Sequence, residues 1–326
     1  MRNVFQFGVS LVATSLMVSL NVYCEGREVL REKAEAGNSA AQFELGWSYQ
    51  NGEDVAKDDA EAVIWYRRAA RQGLAPAQAN LGMMYVEGRG VEQNYSEAIK
   101  WTRMAANQNH PAALYNLGLA YANGNGVGQD YAEAIILLRK SAADIDPNLH
   151  SESGGLSSNR NITVWALSPR NNFSKQGYAP AQNYLGTMYF TGVGVENSYP
   201  KALKWYRKAA RQGYAQAQRN LANMYQYGYG VPLDLTESLR LFHRASENGD
   251  AQAQNYLGMI YAMGERVSKD VVQACQWFIL SAASGDESGT KYRDYLMKYM
   301  SPEQIVESEI MARRSMEGVP KYAHLR

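Results

Sequence analysis

The chain has 326 residues, enough for one large domain or two ordinary ones, and its 33 Lys and Arg against 32 Asp and Glu leave it nearly neutral. That balance excludes the broad basic footprint of a nucleic-acid binder, and the absence of long like-charge runs argues against large disordered tails. Tyrosine is unusually common, at 23 residues, and alanine is frequent, a composition that suits repeated helices in close contact.

At the N-terminus, Arg2 precedes an apolar stretch from Val4 to Leu20, and the chain then turns polar at "NVYCEG". A positive start, a short apolar core and a polar end describe a secretory signal peptide. The core of about 12 to 16 residues falls short of the roughly 20 needed to span a membrane. Residues 1–24 are read as the signal, with cleavage near Cys24 and a periplasmic or secreted mature chain that has no membrane span. Acylation of Cys24 would make a lipoprotein, although Tyr23 is bulky for that signal; an uncleaved anchor is the other alternative. With the signal removed only Cys275 remains for certain, so neither an intrachain disulfide nor a cysteine zinc site can form.

From about residue 38 the sequence repeats with a step of 36, as between Leu45 and Leu81. Three copies lie in 25–145 and three in 178–285. One column holds Leu45, Leu81, Leu117, Leu185, Leu221 and Leu257. Others hold Ala41, Ala77, Ala113, Ala181, Ala217 and Ala253, and Tyr49, Tyr85, Tyr121, Tyr189, Tyr225 and Tyr261. Ala, Leu and Tyr recur every four residues, which places them on one face of a first helix. A glycine follows each Leu except at Ala222, and its recurrence predicts the close approach of another backbone. Gly52, Gly88, Gly124, Gly192, Gly228 and Gly264 mark the next turn.

A second helix then begins at Asp58, Asn94, Asp130, Ser198, Asp234 or Asp270, all good N-cap residues. Five of the six carry Glu or Gln three residues on, which predicts a capping box; Lys201 is the departure. An Ala–Trp–Ala stripe such as Ala98, Trp101 and Ala105 continues the helix. Gly73, Gly177, Gly213, Gly249 and Gly285 are placed to stop it.

Between the two sets of repeats, 146–177 lacks the Leu-Gly-Tyr signature. It reads as a degenerate repeat or as an irregular segment with a short helix from Ser168 to Gln176. Asn161-Ile162-Thr163 matches a glycosylation acceptor. After Gly285, residues 286–326 predict capping helices and a tail. Ser301, Pro302 and Gln304 open the last helix with a capping box. A repeat array needs such an end to cover its last apolar face.

The pattern A-x3-L-G-x2-Y-x2-G-x-G-V, followed by A-x2-W-Y-x2-A-A-x2-G, resembles the Sel-one-like repeat family, relatives of the tetratricopeptide repeats. It covers about Gly37 to Gly285, with Asp54 and Arg266 departing in the turn. The resemblance implies an all-α fold, a right-handed α/α superhelical solenoid of two-helix repeats that binds other proteins; a C-terminal capping helix pair completes the reading.

The repeated residues explain themselves as architecture: the Tyr column and Trp65, Trp101, Trp205 and Trp277 are read as core or inter-helix contacts. The Gly-x-Gly turns follow helices, not the strand that a nucleotide fingerprint needs. His110, His150, His243 and His324 have no second His at metal-ligand spacing and are read as surface residues. Cys275 is read as a small buried residue. No catalytic residue, cofactor or metal site is predicted.

Binding should use positions that vary between copies while sharing one face. Opposite Ala77, Leu81 and Tyr85 that face carries Phe43, Trp47, Asn80, Met83, Tyr115, Asn116, Leu119, Tyr184, Asn220, Tyr227, Tyr256 and Met259. Aromatic, Met and Asn side chains together suit an extended peptide; the competing reading is that they pack against adjacent repeats. The functional expectation is therefore an exported, non-catalytic scaffold that binds a protein or peptide, and not nucleic acid, on the concave face of the solenoid. The alternatives are an exported hydrolase or cell-wall-modifying enzyme on a repeat framework, and a structural adaptor of an envelope complex docking through its outer face or end helices.

Overall fold

The structure, a computed structural model, describes residues 28–53, 55–142, 176–264 and 267–317. The signal segment, the Asn161 acceptor, almost all of 146–177, His150 and His324 lie outside them. The described residues form α-helices joined by turns, with no strand among them. The helices are α1 (28–35), α2 (Ser39–Asn51), α3 (Asp59–Arg71), α4 (Ala75–Glu87), α5 (Tyr95–Asn107), α6 (Pro111–Asn123), α7 (Tyr131–Ala142), α8 (Ala179–Thr191), α9 (Tyr199–Arg211), α10 (Ala215–Tyr227), α11 (Leu235–Glu247), α12 (Ala251–Met263), α13 (Val271–Ala283), α14 (Glu287–Met297) and α15 (Pro302–Met316). Two compact units meet in sequence between Ser141 and Ala142. Each is a stack of helix pairs, in which a second helix packs on its own first helix and on the first helix of the next pair. This is the α/α solenoid architecture.

The pairs form because each first helix buries its Ala–Leu stripe against its partner. Leu81 and Ala77 are fully buried, as are Leu257 and Ala253. The glycine after that leucine faces the residue twenty positions on. A Cβ on Gly186 would lie 2.6 Å from the Tyr206 ring, and one on Gly258 would lie 2.5 Å from Phe278. The close neighbour is thus mainly a side chain of the second helix rather than backbone.

The expected capping boxes at the second helices are only half made. Asp58, Asn94, Asp130, Asp234 and Asp270 each accept backbone N–H groups of the first turn. Their own N–H groups, however, donate to the Tyr column: Asp58 to the Tyr49 carbonyl, Asn94 to Tyr85 and Asp270 to Tyr261, each at 2.9 Å. With that donor already satisfied, the Glu three residues on is released for other contacts. Glu97 Oε2 accepts the Trp101 indole N–H at 3.0 Å. Ser198 makes no side-chain cap. The second helices end where predicted, at Gly73, Gly213, Gly249 and Gly285 with φ between +81° and +88°. In the second repeat Asn109, φ 59°, fills that slot.

Successive pairs are joined by a buried amide that sequence reasoning passed over. Gln42, Gln78, Gln182, Gln218 and Gln254 occupy one column and are buried. Gln78 Nε2 donates to the Ala70 carbonyl at 3.1 Å, and its Oε1 accepts from Gln108 at 2.8 Å. Gln218 does the same with Ala210, at 3.3 Å, and Asn248, at 2.9 Å. Each Gln therefore ties the end of the preceding helix to the turn after the following one. Leu114 takes this place in the third repeat.

At the C-terminus α14 sits where a seventh first helix would. Asp286 caps it through Gly289, Gly289 lies against Ser281, and Tyr292 meets Phe278 at 5.4 Å. One period earlier, Tyr256 stacks on Phe242 at 4.0 Å. α15 then packs on α13 instead of pairing with α14, and buries Ala312 against Leu280. Both halves of the Ser301–Gln304 capping box are present.

Candidate functional site

The first helices carry almost no charge. In the second unit α8 and α12 have none, and α10 has only Arg219, which pairs with the buried Asp250 at 2.9 Å.

The predicted residues fall into two groups. In the first unit Phe43, Trp47, Asn80, Met83, Tyr115, Asn116 and Leu119 are all half-buried. Phe43 packs on the core with its ring 5.7 Å from Tyr66, and the Asn80 amide hydrogen-bonds the Tyr66 hydroxyl. Burial pushes that phenol well above its ordinary pKa, which keeps it a hydrogen-bonding group and not a base. In the second unit Tyr184, Asn220, Tyr256 and Met259 are also half-buried. Asn220 Nδ2 donates to Asn183 Oδ1 at 2.9 Å, so this pair of amides already links neighbouring first helices. Tyr227 is 59% exposed.

The exposed aromatic and methionine residues on this face lie toward the C-terminus; the same column holds the exposed Asn51, Glu87, Asn123 and Thr191 in the earlier repeats. Met263, in the Tyr227 column, is 50% exposed. The same columns run onto α14 as Tyr292 and Tyr295 and into the turn after it as Tyr299, exposed by 43%, 60% and 73%. Tyr295 and Tyr299 place their rings 5.2 Å apart. Sequence reasoning missed these three because α14 lacks the Leu-Gly-Tyr signature; only the spacing of 36 from Tyr256, Met259 and Met263 could have found them.

Among the described residues the histidines and Cys275 sit apart in separate packing environments. His110 departs from the expected surface position: it is buried and caps α6, its Nδ1 accepting the Ala113 N–H at 3.3 Å. Burial lowers its pKa to about 4, so it stays neutral near pH 7. His243 is half-buried, edge-on to Trp277 and Tyr261 at 5.9 and 6.2 Å. Cys275 is fully buried, and burial raises its thiol pKa. Among the described residues no cluster of three His, Cys, Asp or Glu is placed to hold a metal ion. None of the described helices is long and apolar enough to cross a membrane.

The stacked pairs and the neutral, partly aromatic first-helix face define an α/α repeat scaffold, a class that typically serves protein interaction. The chain belongs to the Sel1 repeat family, which matches at 39–74, 75–110, 111–144, 179–214, 215–250 and 251–286. It is similar to c5321, a protective antigen of uropathogenic Escherichia coli strains with an SLR fold. The identity is 34% and the TM-score 0.57, over 88% of this chain and 56% of that one. A Sel1 repeat protein from Oxalobacter formigenes is 33% identical with a TM-score of 0.62, over 76% of this chain and 88% of that one. A 42-residue stretch is 48% identical to the secretory immunoglobulin A-binding protein EsiB of Escherichia coli O6:H1, covering 13% of this chain and 9% of that protein.

Proposed function

We propose that the protein is an exported, non-catalytic scaffold whose first-helix face binds a protein or peptide partner. The observation that carries this reading is the placement of exposed Tyr and Met on consecutive first helices of the second unit. Tyr227, Met263, Tyr292, Tyr295 and Tyr299 share adjacent columns, on a face nearly uncharged along α10 and α12 and of mixed charge on α14, which carries Glu287, Lys291, Arg293 and Asp294. Tyrosine supplies large contact area at low conformational cost and is enriched among interface anchors. The half-buried Tyr184, Asn220, Tyr256 and Met259 would frame that patch, and Phe43, Trp47, Asn80, Met83, Tyr115, Asn116 and Leu119 form the corresponding face of the first unit. EsiB, similar over one stretch, is named for binding a protein, which agrees with a protein partner. Export rests on Arg2, the Val4–Leu20 core and the polar turn at Asn21.

The test is capture with the wild-type chain and with Tyr227→Ala/Tyr295→Ala, two exposed changes that leave the Leu–Ala core untouched. Partners retained by wild type should be lost from the variant while helix content stays the same. Equal retention of every partner would reject the first-helix face. Tyr115→Ala/Tyr184→Ala, at half-buried positions, should have the smaller effect.

A further inference from the structure

A second helix of the second unit carries a feature that protein binding on the first helices does not use. α9, "YPKALKWYRKAAR", holds five cations and no acid, although the whole chain has a formal charge of only +1. At 3.6 residues per turn, Lys201, Lys204, Arg207, Lys208 and Arg211 fall within an arc of about 120° over about 15 Å of helix. The opposite face, Ala202, Leu203, Tyr206, Ala209 and Ala210, is buried in the core. Lys201, Lys204, Arg207 and Arg211 are exposed.

The excess of positive charge is specific to this repeat: Arg67, Arg68 and Arg71 match Arg207, Lys208 and Arg211 in the first repeat, but Asp59 and Glu61 offset them there. Position 201 holds Lys where the first, second, third and fifth repeats hold Glu61, Glu97, Glu133 and Glu237. The second unit's ion pairs lie elsewhere, at Arg219–Asp250, Arg240–Glu237 and Arg293–Asp294, so among the described residues Lys201, Lys204 and Arg211 face no carboxylate at ion-pair distance. Lys201 sits 5.3 Å over the Tyr189 ring and Lys208 sits 5.5 Å over the half-buried Trp205.

We propose that the α9 face docks the protein onto a bilayer surface rich in anionic phosphate headgroups. Charge complementarity commits the partner to an anion. The arrangement selects the kind: five cations lie along one face of a single helix, and three are lysines that act as point charges. A plane of mobile phosphates fits such a stripe, whereas a nucleic-acid duplex would require a wider basic footprint than a nearly neutral chain provides. Trp205, at the rim of the arc, suits the headgroup level of a membrane. Because the charge is confined to one helix, binding would orient the molecule and leave the first-helix face free.

Co-sedimentation of the full chain with vesicles tests this. Wild type should bind phosphatidylglycerol–phosphatidylcholine vesicles, not pure phosphatidylcholine, and high salt should release it. Lys201→Gln/Lys204→Gln/Arg211→Gln should weaken binding about 100-fold, at about fivefold per cation. The triple variant must melt as wild type does; if it does not, Lys204→Gln alone, at an exposed position, should still weaken binding about fivefold. Absence of binding to anionic vesicles, equal binding by the variants, or stronger binding to polyglutamate or duplex DNA than to the vesicles would each overturn the proposal.

Discussion

His110 shows how a residue's neighbourhood overrules its type. Most first helices here begin at Leu, Tyr or Asp, and His110 can replace them only as a neutral acceptor for the Ala113 N–H. Its pKa falls from 6.5 to about 4 because burial disfavours the cation. Between those values the unfolded chain binds a proton that the folded chain does not, so stability drops as pH falls through that window and is unaffected above it. The expected loss is up to about 3 kcal/mol, at 1.36 kcal/mol per pKa unit. His110→Asn keeps an acceptor at the cap and removes the titration. Urea midpoints of the two proteins should therefore converge or invert at pH 4.5 relative to pH 7. A constant difference would show that His110 is not the titrating group.

At the scale of elements, the buried glutamine column sets how one helix pair is joined to the next. Gln218→Leu removes the bonds to Ala210 and Asn248 while keeping a side chain like the Leu114 of the third repeat. It should cost about 1–3 kcal/mol, because buried groups lose their partners. In an array of nearest-neighbour contacts that cost should appear as faster amide exchange at the α9–α10 junction. Uniform exchange along the second unit would contradict it. The cap makes a separate prediction. α15 covers α13, so Ala312→Asp would bury a charge against Leu280 at a cost of several kcal/mol. With Cys24 replaced by Ser, Cys275 should react slowly with a thiol reagent in the otherwise wild-type chain and much faster in the Ala312→Asp variant. Equal rates would mean that α15 does not shield it.

Much of this level was legible beforehand. The Leu, Ala and Tyr columns gave the helix pairs, and the Gly positions gave the ends of the second helices. The capping boxes were over-read, because a sequence shows a Glu at the right spacing but not that the Tyr49 carbonyl has already taken the N–H of Asp58. Gln78 and Gln218 were visible as identical residues, yet polar type alone points outward. Only the meeting of two repeats shows that their amides are buried and bonded.

For the whole molecule, the reading of an exported scaffold makes a simple prediction. Protein recovered from the periplasm or medium should begin near Glu25 when its N-terminus is sequenced. An intact Met1 on soluble cytosolic protein would reject export.

The sequence by itself determined that this is a repeat protein of paired helices, because a hydrophobic stripe, a cap and a stop recur in register every 36 residues. It also contained the α9 lysines and the α14 tyrosines in plain order. Only the tertiary structure decided what these residues are available for. Burial turned Phe43, Asn80 and Asn220 largely into internal contacts, left Tyr227, Tyr295 and Tyr299 open, and made His110 a neutral cap. The physical reason is that periodicity fixes which residues share a helix face, whereas the packing of neighbouring repeats fixes how much of that face remains in water.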